Sequence, residues 1–297
     1  MNRVALRNLY LSLFGLIVVW TLPVLASAGD RGSDKEIPRL ISFGGSCVKC
    51  ELSGRKLSGA QFNGANFSGA ALVGSDLREA QFRGAVFAGA DLSRANLADA
   101  SMIGTNFSGA NLSNANLRNV EAQGVNFVGA TMLATDLRDA QMSGGNFSRA
   151  RLLKAQFANA SLDGAILTKT EARGSSFREA DMRGAILTSG QFADATFRNA
   201  ALDGATLTGG DFAGADFNGA ELRRTNLYGA DLSGARNLDQ DQIDQACSDR
   251  TTRLPKGLVG RNCKGPARLW RAPPAPPAPP ALPTPPALPM PRSISYP

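Results

Sequence analysis

Four cysteines are the residues of this chain whose type and spacing could do chemistry. Cys47 and Cys50 form a C-x-x-C, and 15 residues separate Cys247 from Cys263. Four thiols can hold a tetrahedral zinc ion, cycle as a redox dithiol or pair into disulfides. The chain has no histidine, which removes the commonest general base and metal ligand and excludes haem attachment after the C-x-x-C. Neither G-x-S-x-G nor G-x-x-x-x-G-K-[ST] occurs, so no nucleophile elbow and no phosphate loop is offered. No cofactor and no metal is expected, and the chain reads as a non-enzyme. A second set is cationic: Arg78, Arg118, Arg138, Arg178 and Arg198 recur at multiples of twenty residues, followed by Glu79, Asn119, Asp139, Glu179 and Asn199. A basic column could grip a polyanion, but the carboxylates beside it favour a self-neutralised, solvated face.

What must position these residues is a strict period of five. Leu52, Leu57, Phe62, Phe67 and Leu72 open a series that runs to Leu232 through 37 units without insertion or deletion. The centres are Leu, Phe or Met except at Ala122 and Ala172. A small residue sits two positions before each centre, and Gly is concentrated two positions after it. On an α-helix a period of five would spiral round every face and bury none. Small and large residues two apart point the same way in an extended segment, and a Gly two residues later suits the positive φ of a type II turn. Each unit is then one short side and one corner.

The number of sides follows from the aromatics. Phe67, Phe87, Phe107, Phe127 and Phe147 form a column that continues as Leu167, Leu187, Leu207 and Leu227. Ten residues away, Leu57, Leu77, Leu97, Leu117 and Leu137 continue as Phe157, Phe177, Phe197 and Phe217. Phe62 and Phe82 likewise face Leu52, Leu72 and Leu92, whereas Phe192 and Phe212 face Met182, Leu202 and Leu222. A narrow, densely packed interior conserves volume across itself, which predicts four sides, twenty residues per coil and one aromatic ring per level. Met102 and Met142, in the same column as Ala122, are expected to fill the gap it leaves.

Units such as Ala65-Asn66-Phe67-Ser68-Gly69 and Ala95-Asn96-Leu97-Ala98-Asp99 resemble the pentapeptide-repeat family, whose pattern is A(D/N)LXX. The resemblance covers residues 50–235 and implies an all-β, right-handed quadrilateral β-helix, a rod of roughly 44 Å at about 4.8 Å per coil. Some members of that family resemble B-DNA and inhibit topoisomerases. Such mimicry needs a strongly acidic surface, yet residues 50–235 hold 17 Lys and Arg against 18 Asp and Glu.

The ends carry the remaining signals. Residues 1–28 read as an export signal: Arg3 and Arg7, an apolar run from Leu9, and Ala26-Ser27-Ala28 for cleavage after Ala28. A periplasmic or secreted protein is expected, touching a membrane only if this segment is not cleaved. In that compartment cysteines pair. The rod holds the two cysteine pairs roughly 40 Å apart, and a disulfide needs Cα atoms within about 7 Å. This predicts Cys47–Cys50 and Cys247–Cys263 and excludes a shared zinc ion. Residues 29–49 read as an N-terminal cap and linker, with Phe43 plugging the first coil. Residues 236–265 read as a C-terminal cap whose short helix starts at Asp239, with Gln242 completing a capping box and Leu238 with Ile243 as a staple. The stretch from Ala235 to Leu258 is similar to the segment that closes many bacterial pentapeptide-repeat proteins. Residues 266–297 read as a Pro-rich tail that is expected to be disordered.

One wall stands out by its lack of charge. Its outward positions include Asn106, Asn126, Asn146, Ile166, Ile186 and Thr206, with Arg149 and Lys169 at its edge. A flat neutral wall of this kind is the expected partner or self-association surface. The sequence therefore supports a structural or protein-interaction scaffold of the cell envelope, with an unidentified protein partner and no nucleic acid. The alternative is a DNA-mimic, topoisomerase-binding protein.

Overall fold

The computed structural model describes residues 44–263; the expected export segment, the Phe43 plug and the Pro-rich tail lie outside the described residues. Within them, residue i pairs in parallel with residue i + 20 in four series, beginning Ser46↔Asn66, Glu51↔Ala71, Lys56↔Asp76 and Gln61↔Gln81. Each coil therefore has four sides, which we number walls one to four in that order. The expected strands shrink to one paired residue per side, because a β-turn takes up the rest of each unit. In one such turn the Ala65 N–H donates to the Phe62 carbonyl at 3.0 Å, with Gly64 at φ +69°.

Following the N–H groups of a single unit explains its consensus. The Asn66 N–H donates back to Gly45, and those of Phe67 and Gly69 donate forward to Val86 and Ala88. The Ala70 N–H closes its own turn on Phe67. The one left over, on Ser68, donates to Oδ1 of Asn66 at 3.0 Å. Asn or Asp before the centre thus supplies the acceptor that the ladder lacks, and every backbone donor of the unit is satisfied. The same bond recurs at Asn106, Asn126, Asn146 and Asp136. The positive φ two residues after the centre is imposed even on side chains that resist it, such as Ala134 at +52° and Glu179 at +56°. The turn is a property of the coil and not of glycine alone.

The centres fill the shaft. Phe67, Phe87, Phe107, Phe127 and Phe147 stack with centroid separations of 4.7, 4.9, 5.2 and 5.2 Å. The column then crosses to the opposite wall through an edge-to-face contact of Phe147 with Phe157 at 5.9 Å and continues as Phe177, Phe197 and Phe217. The expected single ring per level does not hold. Phe62 meets Phe67 edge-on at 5.1 Å, and Phe212 lies 5.9 Å from Phe217. Across the shaft rings face leucines, except at the crossover, where Phe147 and Phe157 meet edge-to-face. On adjacent sides rings meet at a corner and pack by edge or at a tilt.

Local exceptions are compensated locally. Where the centre is Ala122 or Ala172, the preceding small position holds Val120 or Thr170, and all four are buried. Volume comes from the unit itself as well as from Met102 and Met142, which are also buried. Hydroxyls at small positions do not stay unpaired: Thr105, Thr135, Thr170 and Thr225 donate to the carbonyls of Phe82, Leu112, Phe147 and Leu202 at 2.8–2.9 Å. At Gly210 the ring of Phe212 leans into the space an alanine would use, so an added Cβ would lie 2.7 Å from Phe212 Cε2. Gly210→Ala restores the family consensus, yet it should lower stability by roughly 1–3 kcal/mol through overpacking. Urea unfolding of the two proteins checks this; an equal or higher midpoint for the alanine variant would refute it.

Both ends are fastened to the coil. Cys47 takes a centre position and is buried, Ser46 pairs with Asn66, and the Cys50 N–H closes the turn on Cys47. Regular pairing thus reaches into the segment expected as a linker. The C-x-x-C spacing is the span of one corner, whose ends carry the disulfide at a Cα–Cα distance of 5.2 Å. At the other end α1, Gln240–Gln245, starts with the expected capping box: Asp239 accepts from the Gln242 N–H and the Gln242 side chain accepts from the Asp239 N–H, both at 2.9 Å. Nε2 of Gln242 donates to the carbonyls of Phe217 and Ala220 at 2.9 and 2.8 Å, so one side chain covers two acceptors on the last coil. Ile243 is buried and Leu238 packs against the core. Cys247 and Arg253 then pair with Asn226 and Asp231, and Cys247–Cys263 closes the cap at a Cα–Cα distance of 5.4 Å.

Candidate interaction surface

Every outward side chain stands on one of four walls, held by its ladder pair above and below. No cluster of His, Cys, Asp or Glu suited to a metal ion occurs among the described residues. A shallow dent on wall four, lined by Asp203, Gly204, Arg223 and Arg224, is a gap beside a charge pair: Arg223 reaches Asp203 at 2.6 Å and Glu221 at 2.9 Å. The cysteines are all oxidised in the two expected local pairs.

The arginine column lies on wall three, and each member is ion-paired. Arg78 holds Asp76 at 2.7 Å, Arg118 Asp139 at 3.5 Å, Arg138 Asp136 at 2.5 Å, Arg178 Glu179 at 2.9 Å and Arg198 Asp216 at 3.0 Å. These pairs are about half exposed, and solvent screening leaves each of them little net stabilisation. Their effect shows in acidity. Hydrogen bonds from Arg78 and Arg138 hold the Asp76 and Asp136 carboxyls below the ordinary value of 3.8, and Arg183 does the same for Asp181 on wall four.

Asp249 in the C-terminal cap is lowered to about 2, chiefly by the Thr251 hydroxyl. It also accepts from the Gly229 and Thr252 N–H groups, so one carboxylate ties the cap to the last coil. The sequence carries only a weak signal for it, an Asp followed two and three residues later by Thr.

A folded-state value below the unfolded one means stability is complete above about pH 4 and is lost as pH falls through the folded value. The melting temperature should therefore be level from pH 8 to 5, where a chain without histidine has little to titrate. It should fall between about pH 4 and 2, with the cap following Asp249 at the acid end. A melting transition that shifts between pH 8 and 5 would contradict this.

Wall one carries the neutral residues. Asn106, Asn126, Asn146, Ile166, Ile186 and Thr206 are successive members of one ladder, each half-buried. The asparagines spend Oδ1 on the turn, accepting from Ser108, Val128 and Ser148. Their amides and the flanks of Ile166 and Ile186 remain at the surface. From Asn66 to Gly229 this wall and its following corner hold no carboxylate. Three exposed cations, Arg149, Lys154 and Lys169, have no carboxylate within ion-pair distance among the described residues. They sit at corners, two residues after the centres Phe147, Leu152 and Leu167.

The family model for pentapeptide repeats matches in eight copies, over residues 46–84, 80–119, 115–153, 150–188 and 200–236. No curated protein matches the chain. Among solved structures, it is similar to HetL, a pentapeptide repeat protein involved in heterocyst differentiation regulation in the cyanobacterium Nostoc sp. strain PCC 7120. That likeness is 26% identical and spans 72% of this chain and 91% of HetL, with a TM-score of 0.48. It is also similar to trypsin-treated QnrB1, a plasmid-mediated fluoroquinolone resistance protein, at 20% identity over 69% and 93% of the two chains, TM-score 0.39. A pentapeptide repeat protein of the Arabidopsis thaliana thylakoid lumen is 28% identical over 38% and 81%, TM-score 0.35. With the repeat matched over more than half its length, in units that the i to i + 20 pairing realises coil by coil, the chain belongs to the pentapeptide-repeat family.

Proposed function

We propose that this protein is a non-enzymatic scaffold of the bacterial cell envelope, a right-handed four-sided rod that binds another protein, or a second copy of itself, through wall one. The observation that carries the reading is the contrast between walls. On wall three the long side chains are consumed in ion pairs within the rod. Wall one presents a run with no carboxylate, where Ile166, Ile186 and spare amides face outward in register. Such a face desolvates at lower cost than a charged one. Two disulfides fit an oxidising compartment, as does the basic and apolar start of the chain. Mimicry of DNA asks for a dense acidic surface, and the repeat block is one charge from neutral.

Ile186→Glu should lower association with an envelope partner, or self-association, by tenfold or more while leaving the melting temperature within a few degrees. Site-specific photo-crosslinking at position 188, with position 141 on wall four as control, reads it in envelope fractions. Unchanged crosslinks and oligomeric state in the Glu variant would sink wall one as the surface. Recovery of the protein from the cytoplasm with its first 28 residues retained would instead favour the topoisomerase reading.

A further inference from the structure

Among the described residues, a cationic surface that the rod does not neutralise lies at the corner between walls one and two. Arg149 and Lys169 occupy the same corner in successive coils, since Asn146↔Ile166 and Arg151↔Glu171 pair on either side of it. Two like charges are thus stacked one coil apart, about 4.8 Å by the strand spacing. The preceding and following coils put Gly129 and Ser189 there, and neither offers a counter-charge. Lys154 stands at the next corner of the same coil as Arg149. Between them, on wall two, lie Arg151 and the half-buried Leu153, with Leu133 directly beneath Leu153 in the preceding coil. The only carboxylate in the patch, Glu171, is engaged by Arg151 at 3.3 Å. Elsewhere the rod answers most of its arginines with a neighbouring Asp or Glu. Here it tolerates self-repulsion and adds two leucines.

We infer that this patch is a docking site for an acidic segment of a partner protein whose carboxylates are interleaved with aliphatic side chains. Charge complementarity fixes the acidic character, because three cations of the patch have no carboxylate partner among the described residues. Leu133 and Leu153 favour a peptide over a bare polyanion, since phosphate or sulfate chains gain nothing from leucine. The two walls meet at a convex corner, which a flat bilayer cannot follow. The inference rests on the protein-interaction reading and extends it to a second contact beside wall one.

The test uses the full-length chain and a labelled peptide of alternating Glu and Leu, with polyphosphate and phosphatidylglycerol vesicles as comparison probes. Fluorescence anisotropy should show salt-sensitive peptide binding that weakens at least tenfold in R149E/K154E/K169E. Leu153→Asn should weaken the peptide severalfold and leave polyphosphate unaffected. Circular dichroism checks that each variant is folded. Peptide affinity unmoved by the triple reversal overturns the proposal. So does equal sensitivity of peptide and polyphosphate to every variant, which would mark a plain counter-ion surface, or vesicle binding lost in the triple reversal while the peptide does not bind. If the triple-reversal protein still crosslinks its envelope partner as the parent does, this patch is refuted and the scaffold reading stands. If the parent itself crosslinks nothing, the scaffold reading falls first.

Discussion

Phe107→Ala is expected to cost roughly 3–5 kcal/mol, the range for deleting a buried phenyl ring. Phe107 sits inside an unbroken stack, 4.9 Å from Phe87 and 5.2 Å from Phe127, and is wholly buried. Its removal leaves a void that backbone movement cannot close, because the ladder pairs Asn106 with Val86 and Asn126 at a spacing set by hydrogen bonds. In a solenoid each coil contacts only its neighbours, so the loss should also divide the unfolding transition. A chemical denaturation curve that loses midpoint and resolves into two steps fits this account. A midpoint within experimental error of the parent would show that the shaft tolerates a hole at its centre.

Removing the C-terminal clamp is the second large effect. The Cys247–Cys263 bond closes a loop for which restriction of the unfolded chain is worth about 3 kcal/mol. It holds together a cap in which Gln242, Asp249 and Thr252 all bond to the last coils. Cys247→Ser with Cys263→Ser should expose Ile243, Ala246 and the end of the last coil, and the resulting bare edge should promote end-to-end association. Hydrogen exchange would show protection falling first in residues 225–253 and little changed near Phe107. Reduction of the parent protein should show the same loss in the cap together with a loss at the first coil, where Cys47–Cys50 is broken as well. Uniform loss of protection along the rod would argue against a local clamp.

Legibility in the sequence differed between the shaft and its surface. The switch of the phenylalanine column between Phe147 and Phe157 was readable because opposite walls share one volume, so a run of rings on one side is matched by a run of leucines on the other, with a single edge-to-face contact at the switch. The count of rings per level was not readable from that rule. Phe62 and Phe67 approach at a corner, and only their edge-on orientation at 5.1 Å lets both fit. The four cysteines could be paired from rod length alone, whereas the register of the first pair emerged from its turn. Cys47 is a centre and Cys50 the small residue that follows.

Surface partners were harder because one column of identical residues made different choices. Arg138 bonds to Asp136 in its own coil, Arg178 to its neighbour Glu179, and Arg118 and Arg198 to carboxylates on the next coil. The period of five and the four walls are dictated by local geometry repeated many times, and repetition makes a weak preference decisive; the cap at Asp239 was legible because its capping box is contained within four residues. The fate of each charge depends on which of several carboxylates a long side chain reaches across coils twenty residues apart. That selection exists only once the coils are stacked. It is what left Arg149, Lys154 and Lys169 without a carboxylate while neutralising the column that looked basic in the sequence.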